Sequence, residues 1–223
     1  MNGFVKGLYS EYLLEADEKR KTGAEAYLRN QFHFIGLDTQ SRRKIFKKFI
    51  SKNKVPPYQQ LGTIIKCMWL LEREMQYSAI ELAALYKKEW QVSFIKSIEL
   101  CIVSSSWWDT VDATASLLTA PYFKKFPSQI RSITSGWNKS SNIWLQRSSL
   151  LFQLKYKSET NTSLLAEYIC NLSDSPEFFV QKAIGWILRE YAKTDEEWVL
   201  DFVRSNPLKP LSRREALKNI TLV

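Results

Sequence analysis

The sequence predicts an all-α chain, built as a curved solenoid of stacked helix pairs. Two observations carry that reading. Apolar residues recur three and four positions apart through most of the 223 residues, and no stretch alternates as a half-buried strand would. Short stretches of similar chemistry also return with a period in the mid-thirties, the length of one two-helix repeat. Clusters of Pro, Gly, Asn and Ser cut the chain into segments of helical length. No low-complexity linker divides it, so residues 1–223 are expected to form a single domain.

Taken in order, residues 2–15 carry Phe4, Val5, Leu8, Tyr12 and Leu13 at helical spacing. A second helix is expected over 18–31, striped by Ala24, Tyr27 and Leu28. Gly36-Leu37-Asp38-Thr39 reads as a turn into a third helix, with Asp38 or Thr39 as its cap. That helix holds Arg42, Arg43, Lys44, Lys47 and Lys48, and Pro56-Pro57 closes it. Residues 60–72 and 75–88 read as a helical pair, followed by an apolar helix from Phe94 to Val103. The run Ser104-Ser105-Ser106 is expected to cap the helix after it. Beyond that helix, Pro121, Pro127, Gly136 with Asn138, Ser173 to Pro176, Pro207 and Pro210 act as punctuation.

Composition narrows the function. An excess of 32 Lys+Arg over 23 Asp+Glu gives a net charge of +9, which favours a polyanionic partner, nucleic acid ahead of a membrane surface. Cys67, Cys101 and Cys170 lie far apart in apolar runs and read as reduced, buried thiols. A single histidine, His33 between Phe32 and Phe34, leaves no Ser-His-Asp triad and no zinc cluster to assemble. No cofactor or metal ion is expected. The start, Met1 to Lys6, runs into Glu11 and Glu15, and nowhere do 18 apolar residues follow one another. A soluble cytoplasmic protein without targeting signal or membrane span is therefore expected.

The stretch Ser106-Trp107-Trp108-Asp109-Thr110-Val111-Asp112 concentrates the chemistry. Neighbours on a helix point about 100° apart, whereas residues four apart share a face. Trp107 and Val111 are thus expected to pack inward, with Trp108 and Asp112 looking outward together. An alternative has both tryptophans in the core. The repeat reinforces interest in Asp112. Arg147, Lys182 and Arg214 occupy similar stretches, and counting back from Arg147 reaches Asp112, Gln76 and Arg42. In a stack of HEAT-type repeats these positions line one concave face, a basic groove with an acid near its middle. A carboxylate repels phosphates, so its place there calls for compensation, and stabilising a transient positive charge would supply it. The other reading is that Asp112 ion-pairs with Arg147 and orders the groove.

Longer runs add a resemblance. Tyr27-Leu28-Arg29-Asn30-Gln31-Phe32, Gly36 to Arg43, the Ser106–Asp112 stretch and Asn142-Ile143-Trp144-Leu145-Gln146-Arg147 are among them. Phe178 to Arg189 with Tyr191-Ala192-Lys193-Thr194, and Pro210-Leu211-Ser212-Arg213-Arg214-Glu215-Ala216, complete the set. Together they resemble, nearly end to end, the AlkD-type DNA alkylation repair glycosylases built from HEAT-like repeats. The resemblance implies monofunctional excision of N3- or N7-alkylated purines from double-stranded DNA, without extrusion of the base. It implies that Asp112 is the catalytic carboxylate, Trp108 and Trp186 its paired tryptophans, and Arg147 a groove arginine that fixes a neighbouring phosphate. Tyr27, Thr39, Arg43 and Arg189 match DNA-facing positions, and Lys182 and Arg214 continue the basic line. The chain departs from the pattern at Asp38, a negative charge where a polar uncharged residue is usual; a capping role would account for it. The expected partner is duplex DNA containing alkylated purines, with no obligate protein partner and a bacterial-type, nucleoid-associated location. A HEAT-repeat DNA-binding scaffold without catalysis is the other reading that solenoid and charge would fit.

Overall fold

Each regular element among the described residues is helical, as the apolar spacing requires. The structure is a computed structural model describing residues 2–220; Met1 and residues 221–223, the ends of the expected domain, lie outside the described residues. Two compact units divide the chain, 1–100 and 101–223. The first holds α1 (Gly3–Leu13), α2 (Glu18–Tyr27), α3 (Thr39–Lys52), α4 (Leu61–Trp69) and α5 (Arg73–Leu85). Helix α6 (Ile95–Val103) carries the chain from one unit into the next. The second holds α7 (Trp108–Thr114), α8 (Ala120–Lys125), α9 (Gln129–Asn138), α10 (Ile143–Leu151) and α11 (Thr162–Leu172). It ends with α12 (Phe178–Tyr191), α13 (Glu196–Ser205) and α14 (Pro210–Leu217).

In the first unit α1 packs on α3 and α4, and α5 on α3 and α4. The core there is Val5, Leu8, Tyr12, Phe46, Ile64, Ile65, Met68 and Ile80. In the second, α10 packs against α7, α9, α11 and α12, and α12 against α13 and α14. This close packing of successive helices is that of a helical-repeat solenoid. The repeat period is also visible as side-chain ties. Lys124 pairs with Glu159, 35 residues on, and Arg131 with Glu167 at 2.7 Å, 36 residues on. Lys155 reaches Glu190 at 2.6 Å over 35 residues, and Thr134 meets the Tyr168 hydroxyl at 2.8 Å over 34.

Local chemistry sets the ends of the helices. Asn2, Asp17 and Asp38 cap α1, α2 and α3, each accepting a backbone N–H of the first turn. Asp38 is therefore a cap, held to the Ser41 N–H at 2.8 Å and to the Ser41 hydroxyl at 2.9 Å. Helix α2 stops at Tyr27, short of the expected 31, because Arg29 and Asn30 turn left-handed at φ 57° and 55°. The turn into α3 needs Gly36, at φ 103°, where a Cβ would lie 2.1 Å from the Asp17 carbonyl oxygen. Buried Glu74 holds that turn by accepting the N–H groups of Ile35, Gly36 and Leu37 at 2.9–3.0 Å.

Three expectations need correction. Ser104–Ser106 do not cap the next helix: the Ser106 hydroxyl donates to the Ile102 carbonyl and finishes α6, while Trp107 takes the cap position of α7. Pro121 does not end a helix either. Residues 108–125 run on through a π-turn, Ala115–Thr119, which joins α7 to α8. Proline has no N–H and its ring collides with the carbonyl four residues back. A wider turn just before it takes up that misfit. The cysteines also divide: Cys101 is buried, but Cys67 is half-buried and Cys170 exposed.

Helix α12 approaches α14 most closely at Gly185, where a Cβ would stand 2.4 Å from Glu215 Cβ and 2.8 Å from the Ser212 carbonyl oxygen. Both obstacles are backbone or Cβ atoms, so neither can swing away. Gly185→Ala is expected to cost about 1–3 kcal/mol by forcing the helices apart. A urea unfolding midpoint equal to the parent's would refute this.

Candidate functional site

Asp112 sits on the last turn of α7, one turn after Trp108, in the second unit. The two tryptophans before it diverge for a reason other than helical spacing. Trp107 is extended (φ −154°, ψ 163°) and only Trp108 has entered the helix. The Trp107 ring turns towards Trp144 and Phe179, with centroids at 5.8 and 5.1 Å, and those two lie 4.9 Å apart. Val111 is fully buried, while Trp107, Trp108 and Asp112 are all half-buried, so burial does not divide the two tryptophans as the helical spacing suggested.

The Asp112 carboxylate meets Arg147 of α10 side-on. Arg147 Nε donates to Oδ1 at 2.7 Å and Nη2 to Oδ2 at 2.8 Å, a bidentate fork. Its remaining nitrogen, Nη1, donates to the Phe179 carbonyl at 2.7 Å, tying the pair to the first turn of α12. The guanidinium also lies over Trp186, 5.9 Å from the ring centroid. Arg147 is almost wholly buried, with 5% of its side chain exposed, against 17% for Asp112. Burial pushes the Asp112 carboxyl upward from its ordinary pKa, opposed by the Arg147 bonds and charge and aided by nearby Asp109. The ion pair left open by the sequence is therefore present, and each guanidinium nitrogen has a protein acceptor.

The basic line continues along α12, but as pairs. Lys182 and Arg189 both bind Glu215 of α14, at 3.0 and 2.7 Å. Arg214 is exposed beside it. In the first unit Arg42 is buried, forking onto Glu81 at 2.8 and 2.9 Å and donating to the Ser78 hydroxyl. Gln76 is buried as well, bonded to Arg73 and to the Trp69 and Leu71 carbonyls. Neither offers a polar group to a partner. Arg43 shares Glu81 at 2.7 Å yet keeps 60% of its side chain exposed. Thr39 opens α3 and is exposed, as are Lys44, Lys47 and Lys48 further along the helix. Tyr27, last residue of α2, is 72% exposed.

An acid held inside a basic, indole-lined helical repeat is the arrangement to compare with known proteins. A family described as DNA alkylation repair enzyme matches residues 10–220. The chain belongs to that family. A solved structure described as a predicted DNA alkylation repair enzyme from Enterococcus faecalis aligns with a TM-score of 0.87 at 29% identity. The alignment covers 93% of this chain and 98% of that one. No curated protein matches the chain. Membership gives this alkylation repair protein DNA as its partner. None of its described helices is long and apolar enough to cross a membrane, and no cluster of potential metal ligands occurs among the described residues.

Sequence reasoning missed three parts of this cluster. Phe179 contributes a backbone carbonyl, which no side-chain pattern reveals. Trp144 was legible only as part of a motif. Glu215, next to Arg214, carries the pairing along the line. Bonds from Arg189 and Lys182 hold the Glu215 carboxyl down at about 2, against an ordinary 4.5. A depressed folded pKa contributes stability above the unfolded pKa and loses it as pH falls through the folded one. The stability gap between the parent and Glu215→Gln should therefore shrink as pH falls from 4.5 towards about 2. Urea titrations at stepped pH would refute this if the two curves stay parallel.

Proposed function

We propose that this protein is a monofunctional DNA glycosylase that hydrolyses the N-glycosidic bond of N3- or N7-alkylated purines in duplex DNA. One observation carries the reading: a carboxylate, partly open to solvent and one helical turn from Trp108, is held in one orientation by a buried arginine that lies over Trp186. Such a purine carries a formal positive charge. When the bond from C1′ to the base nitrogen breaks, its electron pair neutralises the base, which leaves without needing an acid. Positive charge moves onto the sugar, where Asp112 stabilises it. Water then bonds to C1′ and loses its proton, with Asp112 within the site as the acceptor. The faces of Trp108 and Trp186 hold the cationic nucleotide, each worth about 0.5–2 kcal/mol. No step requires extrusion of the base.

Arg147 acts here by positioning Asp112, since its nitrogens are already engaged. Tyr27, Thr39 and Arg43 in the first unit, and Lys182, Arg189 and Arg214 in the second, contact the DNA backbone, aided by exposed Lys44, Lys47 and Lys48. The protein acts as one repair domain on cytoplasmic DNA. Incubation with duplex DNA containing 7-methylguanine should release free base and leave an abasic site with an uncut strand. Binding without release would favour the scaffold reading, to which the closed Asp112–Arg147 pair lends support as a structural tie.

A further inference from the structure

Lys182 and Arg189 stand seven residues apart on α12, about 10 Å along the axis at 1.5 Å per residue. Their charged groups nevertheless meet. Lys182 Nζ lies 3.0 Å from Glu215 Oε1, and Arg189 Nη1 lies 2.7 Å from Oε2. The carboxylate is the more enclosed group, 12% exposed, against 38% for Lys182 and 22% for Arg189. Two cations therefore lie outside with one anion behind them. The anion is also fixed: Arg189 Nη1 bonds the Glu215 carbonyl at 3.1 Å, and Gly185 lies against Glu215 Cβ. The Ser212 hydroxyl adds a bond to the Gln181 carbonyl at 3.1 Å.

Phe178, Lys182, Trp186 and Arg189 fall on one face of α12, at i, i+4, i+8 and i+11. The first turn of the same helix supplies the Phe179 carbonyl that receives Arg147, and Arg147 holds Asp112. One rigid element thus connects the cation pair to the carboxylate.

Resting on the glycosylase reading, we propose that Glu215 is a positioning residue for the DNA. It draws Lys182 and Arg189 into a single two-point clamp for one backbone phosphate, at a set distance along α12 from Asp112. Without it, two like charges would repel and separate, each free to find its own phosphate. The carboxylate gives up non-specific affinity and gains register.

Glu215→Gln tests this because it preserves shape and removes the charge. Against undamaged duplex, binding should tighten, and the slope of log affinity on log salt should steepen by about 0.9, one further counterion-releasing contact. Excision of 7-methylguanine under single-turnover conditions should fall on the order of 10-fold or more, since small misplacements remote from the chemistry are costly. Glu215→Asp keeps the charge and should retain the parent's salt slope. Lys182→Met should flatten that slope in the parent. An unchanged slope in Glu215→Gln, or weaker binding alongside a lower melting temperature in both Glu215 variants, would reduce the cluster to a structural tie and overturn the proposal. Absence of excision by the parent, with binding intact, would instead sink the glycosylase reading and leave the slope comparison to stand by itself.

Discussion

Asp112→Asn is expected to lower 7-methylguanine release by on the order of 10²–10³-fold, the scale for losing one preorganised electrostatic group. Asparagine keeps an oxygen that can accept from Arg147 but turns an amide N–H₂ towards the rest of the fork. The affinity for undamaged duplex should hold or rise, because a negative charge near phosphates has gone. The pH profile gives a second readout. Burial raises the Asp112 carboxyl, so excision should fail on the acid side above the ordinary carboxylate value of 3.8, and that limb should vanish from the residual activity of the variant. Excision and DNA affinity that fall together would end the catalytic reading of Asp112.

Arg147→Ala should have the largest effect on stability. It leaves Asp112, 17% exposed, without a counter-ion, and removes the donor from the Phe179 carbonyl. Breaking a buried pair from one side costs about 3–5 kcal/mol. The lower end applies here, since Asp112 can take up a proton. For a chain of this length that is a fall in melting temperature on the order of 10 °C. The deficit should narrow as pH falls and the stranded carboxylate is protonated. Excision should drop with the lost orientation of Asp112, while the salt slope of DNA binding stays where it was. A slope flattened by about one contact, with the melting temperature intact, would return Arg147 to the phosphate role that the family resemblance implies.

Much of this was legible beforehand, and the misses have physical causes. Helices were readable because the apolar spacing of residues such as Leu61, Ile64, Ile65 and Met68 is what burial on one face demands. The spacing between Asp112 and Arg147 implied that they were neighbours in adjacent repeats, but not whether arginine would grip the acid or a phosphate. That choice depends on burial, and burial follows from helices α10 and α12 closing over the guanidinium. Arg42 misled for the same reason. Its charge is consumed by Glu81, five residues beyond Gln76, its counterpart in the repeat line. Pro121 read as a stop because the sequence offers no sign of a wider turn ahead of it. The extended Trp107 backbone was equally silent, since adjacent tryptophans say nothing about where a helix begins.

The ladder of ties spaced in the mid-thirties also governs how such a chain reaches its structure. Lys124–Glu159, Arg131–Glu167, Lys155–Glu190 and Asp112–Arg147 each close a loop of 35 or 36 residues. The entropy lost in closing a loop grows only with the logarithm of its length, so these steps carry nearly equal costs. None requires distant parts of the chain to find one another first. Contact order is low, and folding can start in any repeat and spread to its neighbour. Three of these loops share residues 131–147, so an insertion or deletion inside a helix there shifts three rungs at once, whereas one placed in a surface turn is absorbed locally.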